Sequence, residues 1–104
     1  MSTKSDPLIL AHSRVFKALA HPTRLFIVRT VAERPYSVLE LTELVGDDIS
    51  TVSRHLAVLR NAGVIIEKRE GNQIFHSLRM RCVLSFFSCV DTALADRDRR
   101  RSNE

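Results

Sequence analysis

The stretch ISTVSRHLAVLRNAGVIIEKREGNQIFHSL, residues 49–78, decides the fold. In its first half the apolar side chains Ile49, Val52, Leu56 and Leu59 recur every three or four positions, the spacing of one helix face. Asp48 is suited to cap the start, and Gly63 tolerates the left-handed conformation that ends a helix. The pattern then changes. VIIEKRE is β-branched and partly alternating, Gly71-Asn72 reads as a turn, and QIFHSL alternates again, so two short strands form a hairpin.

Upstream, Ser37 and Glu40 stand at capping-box spacing before VLELTELV, with Val38, Leu41, Leu44 and Val45 as the expected inward face. Gly46-Asp47-Asp48 is a tight turn. Helix, tight turn, helix and then hairpin is the order of a winged helix-turn-helix, whose second helix enters a major groove. Two more helices are expected before it. One runs from Pro7 to Leu19 after Asp6, and the next from Pro22 until Arg34-Pro35 closes it. Helical spacing returns from about Met80 to Asp96, with Val83, Phe86, Phe87 and Val90 as the apolar set. The expected architecture is therefore mainly α with a small β-hairpin: about five helices and a two-stranded wing. Residues 1–6 are expected to be a flexible start, 7–96 a single domain, and 97–104 (RDRRRSNE) a charged, frayed tail.

The 104 residues allow one domain with a modest core, and a fold of this size often pairs with a second copy. Sixteen Lys and Arg against 12 Asp and Glu give a formal charge of +4, a sign that favours an anionic partner. No run reaches the roughly 18 apolar residues of a membrane span, so no membrane partner is expected. MSTKSDPLIL lacks a signal peptide's apolar segment, which makes the cytoplasm the expected compartment. An enzyme is not expected: there is no Gly-rich phosphate loop, no paired carboxylates, and no Ser-His or Cys-His couple that spacing brings together.

With Val52, Leu56 and Leu59 inward, Ser50, Thr51, Ser53, Arg54 and His55 crowd the outer N-terminal face of the helix. Arg can fork onto guanine, Ser and Thr can bond phosphate or base edges, and a helix N-terminus itself favours phosphate. Lys68, Arg69 and Asn72 at the hairpin tip can follow the sugar-phosphate backbone, although Glu67 and Glu70 dilute the charge. Arg60 and Arg14 are further candidates for backbone contacts.

ALAHPTRLFIV (18–28), STVSRHLAVLRNAGVI (50–65) and REGNQIFHSL (69–78) together resemble the ArsR/SmtB winged-helix repressors, over roughly residues 12–95. The resemblance implies a homodimer, built from the first and last helices, that binds a palindromic operator in double-stranded DNA and represses nearby genes. It also implies release of the DNA when an inducer binds, often a metal or metalloid. The sequence departs from many relatives at Asp48-Ile49, where they carry Ser-Gln. The family's thiol site on the third helix has no cysteine here. Its last-helix site falls near Met80, Cys82, Ala93 and Asp96, of which only Cys82 and Asp96 can ligate. The second-helix partner of its redox pair falls near Arg29.

Both cysteines, Cys82 and Cys89, lie seven residues apart on the last helix. Two turns put them on one face but about 10.5 Å apart along the axis, too far for a disulfide within the helix. Three readings stay open. They are core residues, as a seven-residue spacing suits. They meet across a dimer as thiolate pairs for arsenite or another thiophilic ion. Or they form an intersubunit disulfide on oxidation or by reactive sulfur. The leading expectation is an arsenite-released repressor that requires no cofactor. The alternatives are a thiol-oxidation switch and a ligand-independent winged-helix interaction module.

Overall fold

A computed structural model describes residues 3–102. The caps legible in the sequence set the helix starts. After a single 3-10 turn at Thr3–Ser5, the Asp6 carboxylate accepts the Leu8 N–H (2.8 Å) and starts α1 (Pro7–Leu19), with Pro7 in the first turn. His21 caps α2 (Pro22–Val31), its Nδ1 accepting the Thr23 N–H at 3.1 Å. This helix ends a turn earlier than the proline rule suggested, with Ala32 closing it. Ser37 and Glu40 form the reciprocal capping box of α3 (Val38–Val45), each side chain bonded to the other residue's backbone N–H (3.2 and 3.0 Å). Gly46, at φ +85°, then turns the chain through the left-handed region into α4 (Ile49–Asn61).

The wing is β2 (Ile65–Glu70) and β3 (Gln73–Leu78), paired antiparallel from Ile65↔Leu78 to Glu70↔Gln73. Gly71 alone carries a positive φ (+62°) in its two-residue turn, as a type II′ hairpin requires. The expected two-stranded wing is in fact three-stranded. Tyr36–Ser37, here β1, pairs with the outer side of β3, giving the order β1-β3-β2. Two residues are too few to show a period of two, so this strand left no mark in the sequence pattern.

The core lies between the helix-turn-helix and the root of the wing. Ile27 and Val28 of α2, Leu41 of α3, Val52, Leu56 and Leu59 of α4, and Val64 and Ile65 are buried together. Each fully buried aliphatic of this kind contributes about 1.5–3 kcal/mol. Leu44 and Ile49, expected inside, are exposed. In an eight-residue helix, one buried position with half-buried neighbours, Leu41 between Val38 and Val45, already fills the contact.

The last helix, α5, runs from Cys82 to Ser102. It continues through the residues expected to fray from 97 onward; Asn103 and Glu104, like Met1 and Ser2, lie outside the described residues. Its first turns pack on the domain through Val83, Leu84 and Phe87, and Phe86 meets Phe16 of α1 with ring centroids 5.6 Å apart. From Ser88 on, every described residue of α5 is exposed. The chain is accordingly extended: its radius of gyration is 16.4 Å, against about 13 Å for a compact chain of this length.

Candidate nucleic-acid interface and thiol pair

Val52, Leu56 and Leu59 anchor α4 in the core, which fixes what its other faces present. Ser53 and Arg54 are exposed on the outer side, and the Arg54 guanidinium donates to Thr51 Oγ1 at 3.4 Å. The helix entry is capped as expected. The Asp48 carboxylate accepts both the Thr51 N–H (2.7 Å) and the Ser50 hydroxyl (2.9 Å). The Thr51 backbone bond above all, with the two hydroxyls, holds that carboxyl below the usual carboxylate range. The Asp48 carboxylate thus supplies a negative charge at the helix N-terminus, where the dipole favours it.

His55 is not on the outer face. It is half-buried against the start of α2, its Nδ1 accepting from the Arg24 guanidinium at 3.3 Å and its ring 4.5 Å from that of His21. Arg24 is itself fastened to the end of α1 through the carbonyls of Ala18 (2.6 Å) and Lys17 (3.2 Å). Burial, then the neighbouring His21 and Arg24, push the His55 pKa down. The residue therefore ties α4 to the α1–α2 corner. Nothing local in the sequence signals this, because the partners are 31 and 34 positions away.

Along β2 successive side chains alternate in face. Arg69 shares the side of Ile65 and Glu67, and Lys68 that of Ile66 and Glu70. Both are exposed, as is Asn72 in the turn. The wing thus presents its two cations to opposite sides. Arg60, near the end of α4, makes an ion pair with Glu67 of β2, which ties helix and wing together. Arg14 is exposed on α1.

Cys82 and Cys89 are free thiols, both exposed within the protomer, so neither is a core residue of the single chain. Cys82 lies at an apolar cavity of about 280 Å³ between α1 and α5, lined also by His12, Phe16, Met80 and Phe86. The nearby Arg79 and Arg81 direct their guanidinium groups to the carbonyls of Gly63 (3.0 Å) and Ala32 (3.4 Å). Among the described residues no group of three or more His, Cys, Asp or Glu is arranged to hold an ion.

A family model described as bacterial regulatory protein, arsR family, matches residues 21–67. The uncharacterized HTH-type transcriptional regulator Rv0081 of Mycobacterium tuberculosis is 42% identical over 93 residues, covering 88% of this chain and 82% of the relative. The chain belongs to the ArsR family. The crystal structure of Rv0081 superposes with a TM-score of 0.80 at 36% identity, covering 93% of this chain and 98% of that one. The homodimeric winged helix-turn-helix DNA-binding domain of Mb0332 from Mycobacterium bovis gives a TM-score of 0.79 at 26% identity, over 93% and 90% of the two chains. A biofilm growth-associated repressor of Xylella fastidiosa is 39% identical over 66 residues, 64% of this chain and 58% of the relative. This ArsR-family chain is thus a transcriptional regulator with a DNA-binding winged helix-turn-helix, and not an enzyme. No helix among its described residues is long and apolar enough to cross a membrane.

Proposed function

We propose that the protein is a homodimeric repressor that grips a palindromic operator with two copies of α4 and the wing, and lets go when a thiophilic ion, arsenite first among them, binds Cys82 and Cys89. The observation that carries the DNA half is the exposed Ser53–Arg54 face of a helix whose opposite face is locked in the core. Thr51 and Ser50 flank it, and Lys68, Arg69 and Asn72 supply backbone contacts from the wing. The dimer reading is supported by a band of exposed apolar residues on α1 and α5: Leu8, Ile9, Phe16, Phe86, Val90 and Leu94. Exposed apolar side chains on two neighbouring helices, joined by the Phe16–Phe86 contact, fit an interface.

The inducer half follows from α5. If the two α5 helices pack antiparallel across the dimer axis, Cys82 of one chain approaches Cys89 of the other, and two symmetric thiolate pairs form. Soft ions select such ligands. His12, which shares the cavity of Cys82, is the imidazole best placed to complete a third ligand position.

The test uses the reduced protein and a labelled duplex from its own upstream region, followed by fluorescence anisotropy at fixed salt. Micromolar arsenite is expected to release the DNA and zinc is not, and Cys82→Ser or Cys89→Ser is expected to abolish the response. A normal response in both serine variants would remove the cysteine site. A covalent dimer on non-reducing gels after mild oxidation, with no arsenite effect, would favour the thiol-oxidation switch instead; the exposure of both thiols suits that chemistry as well.

A further inference from the structure

His76 stands in the middle of β3, only 5% exposed, and its Nδ1 is buried without a hydrogen-bond partner. Buried polar groups in folded proteins are almost always satisfied, so an orphan of this kind calls for a reason. Glu67 stands directly across from it on β2, with Cβ atoms of such cross-strand pairs about 5 Å apart. A cavity of about 190 Å³ opens beside the imidazole, lined by Glu67 and Ile74 of the wing and by Ser53 and Arg60 of α4. At its edge Arg60 Nη1 donates to Glu67 Oε1.

We propose that His76 is a proton-operated latch between the recognition helix and the wing: an imidazolium there takes Glu67 as its counter-ion and releases Arg60 to bind a DNA phosphate. The phosphate half rests on the reading of α4 and the wing as the DNA-binding face. The proton comes from bulk solvent and goes to the imidazole; the Arg60–Glu67 ion pair gives way to one between His76 and Glu67, and no other covalent bond changes.

The charges around the site are arranged for such an exchange. Burial holds the imidazole neutral, Glu67 from β2 favours its charged form, and Arg60 from α4 opposes it. The other elements packed on β3 bring one further cation, Arg34, which is paired with Glu40 of α3 at 2.9 Å. β1 brings Tyr36, opposite His76 and carrying the Arg34 guanidinium 3.7 Å over its ring. α3 brings Val38, and α2 faces the core with Ile27, Val28 and Val31. Once Arg60 leaves for a phosphate, the repulsion on His76 goes with it and the attraction of Glu67 remains. DNA then raises the proton affinity of His76, and by reciprocity a proton at His76 raises the affinity for DNA.

The test has a DNA-free arm and a DNA arm. In the free protein, imidazole resonances are followed by NMR against pH. Glu67→Gln is expected to lower the His76 pKa and Arg60→Gln to raise it; both substitutions are at the surface and spare the core. In the DNA arm, anisotropy with the upstream duplex is measured between pH 7.5 and 5.5 across a salt series. Wild type is expected to bind severalfold more tightly at the acid end, with a salt slope steeper by about 1, the signature of one added phosphate contact. Arg60→Gln is expected to lose that difference, while any His55 contribution persists in both proteins. Imidazole shifts that ignore both substitutions overturn the latch and leave the DNA reading standing. Coupled imidazole shifts with an equal pH dependence of binding in wild type and Arg60→Gln overturn the release of Arg60. Coupled shifts with no duplex bound at any pH overturn the DNA reading itself.

Discussion

Arg54 and Lys68 are both exposed cations on the proposed DNA side, yet their removal should read differently. Arg54 leaves the face of a buried helix near its N-terminal end, where a guanidinium can fork onto a base edge. Arg54→Ala should weaken operator binding by about 1–3 kcal/mol and relax specificity at one base pair. Lys68→Ala should weaken binding to all duplexes alike and flatten the salt dependence by about one unit of slope. A salt series on operator and scrambled duplexes separates the two. Titration at single sites also shapes stability. His55 and His76 both have folded-state pKa values below the ordinary imidazole value, burial being the first cause in each. The unfolded chain therefore takes up protons first, and stability conferred by these groups is present above about pH 6.5 and lost as the pH falls below it. Asp48 and Glu40, whose carboxyls are lowered by the Thr51 backbone bond and by the Arg34 side chain respectively, hold their contribution until the pH drops below about 4. Urea midpoints measured from pH 7.5 to 3 should thus fall in two stages, and His76→Phe should shrink the first.

Between single side chains and the whole chain lie the elements, and here the sequence was most legible where the signal is local. Ser37 with Glu40, Asp48 and Gly46 announce helix ends through groups three or fewer positions apart, and the structure uses each of them. The hairpin was equally plain from its turn and alternation. Three features escaped. β1 is only two residues long, so periodicity has nothing to act on. The end of α5 reads as frayed in the sequence because RDRRRS has no apolar stripe. A stripe reports burial rather than helicity, and arginine is a good helix former. The surroundings of His55 depend on residues far off in sequence, which no window sees. Packing at this scale is testable in Leu59, fully buried where α4 meets the root of the wing. Leu59→Ala should cost about 2–5 kcal/mol in urea unfolding. Val58→Ala, on the same helix but 40% exposed, should cost far less.

At the scale of the whole molecule, the protomer looks like half of something. Its α1 and α5 show apolar side chains to solvent, and its long last helix leaves the body of the domain after its first turns. Phe86→Asp, placed in the middle of the proposed seam, should give a monomer by sedimentation equilibrium at concentrations where wild type is a dimer. It should lose specific operator binding with Arg54 intact, because a palindrome is gripped by two half-sites held one helical turn apart. The exposed far half of α5 carries one more consequence. A solitary helix of this length is marginal in water, so in a dimer this segment becomes firm only when two chains meet. Below the dimerisation constant, the amount of operator-competent protein then varies with the square of the number of chains in the cell. On the proposed dimer, a twofold change in synthesis becomes a fourfold change in gripping species, and the last helix makes the regulator's own dosage part of its signal.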